Sequence, residues 1–177
     1  MVRDNENFIE CIRDITGFAF QQHHEALLDE ALTHPSKKNN KNYERLEFLG
    51  DRVLALIIAE WMFEEYPNEQ EGFLSVISAR LVSKQTLSAI GEKLGLSQWL
   101  SWGGGSKNAS DRAISSAVVN GLEALIAVLF IAGGFEVVRG FIKNHWQEYI
   151  ILPDSQINNP RGYLQELLQS KKLKEPV

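Results

Sequence analysis

The sequence predicts an all-α fold, on the strength of three observations. Apolar residues recur at spacings of three and four along nearly the whole 177-residue chain, which is the period of helices with one buried face. The alternation of apolar and polar residues that indicates strands is absent. Hydrophobic residues make up 44% of the chain, enough to form a core. We therefore expect one helical domain of ordinary size, followed by the start of another.

Local start and stop signals divide the first 152 residues into seven predicted helices. Pro35 and Pro67 each follow a helical pattern that they cannot continue. Ser83 can cap the helix KQTLSAIGEKL, and Gly95 can end it. The stretch SWGGGSKNASD, residues 101–111, has the composition of a flexible loop. The predicted helices span residues 5–18, 24–34, 42–66, 71–81, 84–94, 110–131 and 134–150.

The end of the chain has a different organisation. LPDSQINNP, residues 152–160, has the composition of an interdomain linker. One more helical pattern, RGYLQELLQSKKL, follows it, and a lone helix of that length cannot form a domain. We therefore assign residues 1–152 to the helical domain, 153–158 to the linker and 159–177 to the opening of a second module.

Charge and composition limit the classes of function. The net charge is −5, which is unusual for a nucleic-acid-binding domain but suits a protein that gathers divalent cations. The single cysteine, Cys11, excludes an intrachain disulfide framework or a cysteine-based zinc site and suits a reducing cytoplasm. The N-terminus is charged and lacks the apolar segment of a secretory signal. The longest apolar run, ALIAVLFIA, has half the length of a membrane span. We expect a cytoplasmic protein with no membrane partner.

An acidic stripe opens the third predicted helix. Residues 42–58 read NYERLEFLGDRVLALII, and on a helix Glu44, Glu47 and Asp51 share a face with the apolar residues that follow. Like charges at this spacing repel each other, and partial burial raises the cost. The helix dipole accounts for Glu44 and partly for Glu47, but Asp51 lies more than two turns inside the helix. The stripe is therefore either a helix-start feature or part of an ion-binding site.

A second apolar helix also carries polar groups on one face. In AVVNGLEALIAVLFIAGG, residues 117–134, Asn120 and Glu123 are three residues apart. Glu123 is costly in such a run unless a neighbour or a ligand satisfies it. Facing helices with oxygen ligands at these spacings build carboxylate metal sites, and oxygen ligands favour Mg²⁺ or Mn²⁺ over zinc. Gly50 and Gly121 each cost their helix about 1 kcal/mol relative to Ala, which predicts close approach of another backbone or ligand, and tight helix packing accounts for them more readily than a direct role in a site.

These segments resemble those of a known family. ERLEFLGDRVL, residues 44–54, closely resembles the signature of the ribonuclease III family. Three further segments, ALTHPS, EGFLSVISARLVSKQTL and LEALIAVLFIAGGFE, resemble family segments in order and spacing, and they lie at residues 31–36, 71–87 and 122–136. The resemblance covers about residues 5–150. NPRGYLQELLQSKKLKEP, residues 159–176, resembles the opening helix of the double-stranded RNA-binding domain that follows in bacterial members.

The resemblance implies an activity. It implies an all-helical, homodimeric endonuclease domain that cleaves double-stranded RNA with Mg²⁺, for which Mn²⁺ can substitute, and with no small-molecule organic cofactor. The expected products carry 5′-phosphate and 3′-hydroxyl ends, and the expected role is in rRNA and other RNA processing.

Site residues are carried over by position in this sequence. The resemblance makes Asp51 and Glu123 the catalytic acids. Glu44 would lie at the edge of the site, nearer the RNA. The expected metal ligands are Glu47, Asp51, Asn120 and Glu123.

The resemblance also implies a dimer contact. The signature helix of the family lies at the subunit interface, which would place Phe48 and Leu49 there. The apolar pattern alone predicts both of these residues to lie in the core.

The chain departs from the family pattern at several positions. Asn120 stands where the family usually has Asp, and an amide offers a metal one oxygen but no negative charge. Arg52 replaces the small residue usual after the signature Asp. Two alternatives follow: a protein that binds double-stranded RNA without cutting it, and a catalytically silent scaffold. The retained Glu47, Asp51 and Glu123 favour the enzyme, because a scaffold has no physical reason to keep three costly acids.

Overall fold

The protein is described by a computed structural model over residues 5–38, 41–104 and 109–150, with side chains from residue 9 onward. The all-α prediction is confirmed, since the described residues contain no β-structure beyond an isolated bridge between Thr33 and Ser101. The α-helices are α1 (Asn5–Thr16), α2 (Glu25–Ala31), α3 (Glu44–Glu65), α4 (Glu71–Leu81), α5 (Lys84–Lys93) and α6 (Asp111–Trp146). The predicted linker and second module lie outside the described residues.

The predicted helices are present, with one difference in how the last two are joined. The segments predicted at 110–131 and 134–150 form a single helix, α6, with a kink at Gly134. Gly134 has φ 73° and ψ −171°, a conformation that is open essentially only to glycine. The predicted interruption is therefore a sharp bend and not a loop.

Side-chain caps mark the starts of α5 and α6. The Ser83 hydroxyl accepts a hydrogen bond from the Thr86 amide at 3.2 Å, as predicted for the start of α5. Gly95, with φ 67°, follows α5 in the left-handed conformation that commonly ends helices. At the start of α6 the Ser110 hydroxyl accepts from the Ala113 amide at 3.3 Å.

The core is organised around α6. This helix packs most extensively against α3 and also contacts α2 and α5. Its last residue, Trp146, is fully buried, and the indole N–H donates to the Leu81 carbonyl at 3.1 Å. By length and composition α6 could cross a membrane, but 61% of its most apolar stretch is buried inside the protein. Its hydrophobicity is accounted for by its central position in the core.

Candidate active-site cleft

The close crossing of α3 and α6 at Gly50 determines the geometry of the site. A Cβ added at Gly50 would overlap the backbone carbonyl of Glu123 on α6. The predicted close approach at Gly50 is therefore present, and it brings the acidic face of α3 beside Glu123. Gly121 contributes less to close helix packing. The atoms nearest to a Cβ added there belong to side chains, the first being Leu100 at 3.2 Å.

The predicted site residues all line one open cleft of about 740 Å³. The α3 residues contribute carboxylates, while α6 contributes one amide and one carboxylate. Lys84, at the start of α5, also lines this cleft. The predicted site residues in the cleft are Glu44, Glu47, Asp51, Asn120 and Glu123.

The cleft opposes negative charge most strongly at Glu123. Burial, followed by the nearby charges of Asp51 and Glu47, raises the pKa of Glu123 to about 7, although Lys84 acts in the opposite direction. The pKa of Glu47 is also raised, first by burial and then by Glu44. The carboxylates thus lie close enough to affect each other's ionisation, and a cation in the cleft would relieve their repulsion.

Asp51 is engaged by its neighbour in sequence. Its Oδ2 lies 2.8 Å from Nη1 of Arg52, and both side chains are substantially exposed, at 41% and 69%. The Arg52 guanidinium also lies over the Phe48 ring, with 5.8 Å between its carbon and the ring centroid. Arg52 therefore contacts Asp51 and Phe48 together.

Sequence reasoning did not assign Lys84 or Tyr43 to the cleft. Lys84 occupies the first turn of α5, where the helix dipole disfavours a cation; this unfavourable placement was a usable signal. Tyr43 is 3% exposed, and burial raises its pKa while a hydrogen bond with the Asn120 side chain lowers it. No sequence pattern indicated that Tyr43 would meet Asn120.

A family model described as Ribonuclease-III-like matches residues 24–150. The chain belongs to the ribonuclease III family. A Ribonuclease 3 from Bartonella bacilliformis is 39% identical over 160 residues, which cover 89% of this chain and 67% of the relative.

Solved ribonuclease III structures agree with the fold. A nuclease domain of ribonuclease III from Campylobacter jejuni matches with a TM-score of 0.73 at 31% identity, covering 82% of this chain and 98% of that one. A second structure of that domain has a TM-score of 0.70 at 31% identity and covers 78% and 99%. In that second structure, structural flexibility occurs in a region involved in dimer formation of the Campylobacter domain.

Family membership confirms the predicted enzyme class, a ribonuclease III-type endoribonuclease and hence a hydrolase. The Bartonella relative is longer than this chain, which spans 67% of its length. The roles of the individual cleft residues stay predictions.

The ribonuclease III cleft fits a hard divalent ion by the kind of donors it offers. Glu47, Asp51, Asn120 and Glu123 supply only oxygen ligands, which Mg²⁺ and Mn²⁺ prefer. Nevertheless, over residues 5–38, 41–104 and 109–150 no three His, Cys, Asp or Glu side chains stand close enough together to hold a metal. The carboxylates would have to draw together around an ion, and the Arg52 contact of Asp51 is one obstacle to this.

The two residues predicted at a dimer interface differ in exposure. Phe48 is 69% exposed, so the prediction of a core position from the apolar pattern alone is wrong for this residue. Leu49 is partly buried and packs against the core, so its position is nearer to the core position that the apolar pattern predicts. Of the two, Phe48 is the one that projects substantially from the signature helix of this family member.

Proposed function

We propose that the cleft cleaves double-stranded RNA by metal-dependent hydrolysis of phosphodiester bonds. One observation carries this proposal most directly: carboxylates from two separate apolar helices, α3 and α6, line a single open cleft. Their mutual repulsion and partial burial have no structural benefit, whereas a bound cation would offset both. Membership in the ribonuclease III family supports the same chemistry.

The proposed ligands of the ion are Glu47, Asp51, Asn120 and Glu123. A bound Mg²⁺ or Mn²⁺ supplies an activated water and stabilises charge on the leaving oxygen. Asp51 and Glu123 are the proposed catalytic acids. In the metal-free cleft the pKa of Glu123 is about 7, and a bound cation would lower it by favouring the ionised carboxylate that serves as a ligand.

Two cleft residues have proposed roles toward the RNA. Glu44 is exposed at the cleft edge and would lie nearer the duplex. The Lys84 ammonium faces the same cleft and would offset repulsion between the carboxylates and the RNA phosphates. Duplex RNA is recognised mainly by shape, phosphates and 2′-hydroxyls, so we expect loose sequence preference. The proposed products carry 5′-phosphate and 3′-hydroxyl ends, and the proposed role is in rRNA and other RNA processing.

The proposed partner in solution is a second copy of the chain. Large apolar side chains on α3 are exposed, with Phe48 at 69%, Leu56 at 56% and Phe63 at 71%, and exposed apolar groups of this size commonly mark an interface. A dimer would bring two clefts to one duplex, so that each cuts one strand.

The remaining assignments are also proposals. We propose the endonuclease domain at residues 1–152, a linker at 153–158 and the opening of a double-stranded RNA-binding domain at 159–177. That module would supply much of the RNA affinity that an acidic domain lacks. We propose a cytoplasmic location, with the free thiol of Cys11 suited to a reducing compartment.

Asn120 favours one alternative, namely a protein that binds duplex RNA without cutting it. The amide removes one negative charge from the proposed ligand set. One assay distinguishes cleavage of duplex RNA from binding without cleavage. The protein and its Asn120→Asp variant are each incubated with end-labelled duplex RNA, once in Mg²⁺ and once in chelator.

The enzyme predicts metal-dependent cutting by the parent protein and products with 5′-phosphate ends. Glu123→Gln is expected to abolish cutting while the protein stays folded and dimeric. RNA binding without cutting by the parent, with cutting restored by Asn120→Asp, would support the alternative. Absence of both binding and cutting in the parent and in Asn120→Asp would indicate a silent scaffold.

A further inference from the structure

We propose that Arg52 is a positioning residue that competes with the divalent ion for Asp51 and so sets the metal concentration at which the site assembles. The inference rests on the proposed function, since it concerns metal binding in the same cleft. It assigns a role to a side chain that is not itself a ligand or a reacting group.

The contact between Arg52 and Asp51 is direct. Nη1 of Arg52 lies 2.8 Å from Oδ2 of Asp51, which is the length of a charge-assisted hydrogen bond. A carboxylate oxygen occupied in this way is less available to a metal. The guanidinium itself would stand close to the incoming cation and repel it.

A second contact restricts where Arg52 can go. Its guanidinium carbon lies 5.8 Å from the centroid of the Phe48 ring, within the range of a cation–π interaction. Phe48 and Asp51 are three residues apart on α3 and therefore lie on neighbouring positions of one face. Arg52 is 69% exposed, and its two contacts are with residues that line the cleft, Asp51 and Phe48.

The carboxylates of the cleft are not gathered around a common point. All the proposed ligands line one cleft, yet in the part of the chain that the structure describes no three acidic, cysteine or histidine groups are gathered tightly enough to hold an ion. Release of Asp51 from Arg52 would free one carboxylate to join Glu47 and Glu123. The metal therefore has to displace the Arg52 guanidinium from Asp51 before it can bind that carboxylate.

The test is Mn²⁺ binding to the RNA-free 177-residue chain, measured by the decrease of the free-ion electron paramagnetic resonance signal. Arg52→Gln removes the charge and is expected to tighten the Mn²⁺ Kd about three- to fivefold, the upper part of the range for an exposed ion pair. Arg52→Lys keeps a positive charge and is expected to stay within about twofold of the parent.

The matched control is Arg45→Gln. Arg45 is exposed on the same helix, directly follows the cleft residue Glu44 and makes no ion pair with a described residue. Its replacement changes the net charge by the same amount, so we expect a shift in Kd under about twofold. An equal Kd for Arg52→Gln and the parent, or equal tightening by Arg45→Gln and Arg52→Gln, would overturn the competition.

Glu123→Gln separates failure of the inference from failure of the site. It is expected to weaken Mn²⁺ binding at least about tenfold, because it removes a charged ligand. If Glu123→Gln weakens binding but Arg52→Gln leaves it unchanged, the metal site stands and the role of Arg52 is wrong. If the parent binds no Mn²⁺, or binds it as Glu123→Gln does, the metal site itself is wrong and the inference with it.

Discussion

Glu123 is the residue whose surroundings most oppose its own charge. It is half-buried in the middle of α6, and the carboxylates of α3 face it across the cleft. Burial and those neighbours together raise its pKa to about 7 from an ordinary value of 4.5. In the absence of metal, the folded protein therefore favours the protonated form of this carboxyl, and ionising it works against folding.

The stability of metal-free protein should consequently depend on pH through Glu123. A pKa raised on folding contributes stability that is complete below pH 4.5 and is lost as the pH rises through about 7. Glu123→Gln mimics the protonated form, so it should match the parent in acid and be more stable by about 1–2 kcal/mol at pH 8, after allowance for partial exposure. Urea unfolding at several pH values in chelator measures the difference.

Saturating Mn²⁺ provides the control for this prediction. The ion would stabilise the ionised parent more than the variant, which binds it more weakly, so the advantage of Glu123→Gln should disappear or reverse. A stability difference between parent and variant that is the same in acid and in base, in chelator, would contradict the proposed effect of burial on Glu123.

Among the helices, the α3–α6 crossing brings the two halves of the site together. Gly50 allows the crossing because its missing side chain leaves room for the Glu123 carbonyl. Beyond the crossing, Arg139 on α6 bonds to Glu60 on α3 at 2.7 Å, which ties the two helices again after the Gly134 bend. The site thus depends on how closely two helices pack as well as on its ligands.

Gly50→Ala should damage both packing and site. The added methyl group would overlap backbone, which cannot move aside like a side chain, so we expect a loss of about 2–3 kcal/mol in the free energy of unfolding. Gly140→Ala is the matched control, since it is exposed on α6 with open space around its Cβ position and should be neutral or slightly stabilising. Urea unfolding compares the two variants, and equal stability would show that the helices are not in close contact at Gly50.

Gly134→Ala tests the bend separately. A Cβ there meets nothing within 4 Å, so any effect comes from the backbone conformation, φ 73° and ψ −171°. We expect a loss of about 1–3 kcal/mol, measured by thermal or urea unfolding against Gly140→Ala. A variant as stable as the parent would mean that α6 can run without this bend.

The helices, the Ser83 cap and the Gly95 helix end were predictable, because periodicity and capping are local properties of the chain. Glu47, Asp51 and Glu123 were found together because charge in an apolar helix is costly wherever it occurs. Tyr43 and the Asp51–Arg52 contact were not predicted, since they depend on side-chain directions that spacing does not fix. Phe48 was predicted to be buried by its pattern and is exposed, because the spacing of apolar residues does not distinguish an exposed apolar residue from one in the core.

For the molecule as a whole, the exposed apolar groups on α3 are the basis of the proposed dimer. Phe48→Ser should shift the protein from dimer to monomer, because it replaces a large exposed apolar group of the proposed interface. Sedimentation velocity measures the change. Phe135→Ser, at an exposed position on α6, is the comparison, and we expect the larger effect at Phe48. A Phe48→Ser protein that sediments as the parent does would contradict the interface.

The proposed function depends above all on carboxylates from α3 and α6 binding one hard cation between them. Anomalous diffraction from Mn²⁺-soaked crystals is the sharpest test, because it locates the ion independently of activity. We expect a peak in the cleft within coordination distance of Glu47 on α3 and Glu123 on α6. Well-ordered crystals with no peak in the cleft, from protein that cuts duplex RNA in Mn²⁺, would refute a shared ion at this site.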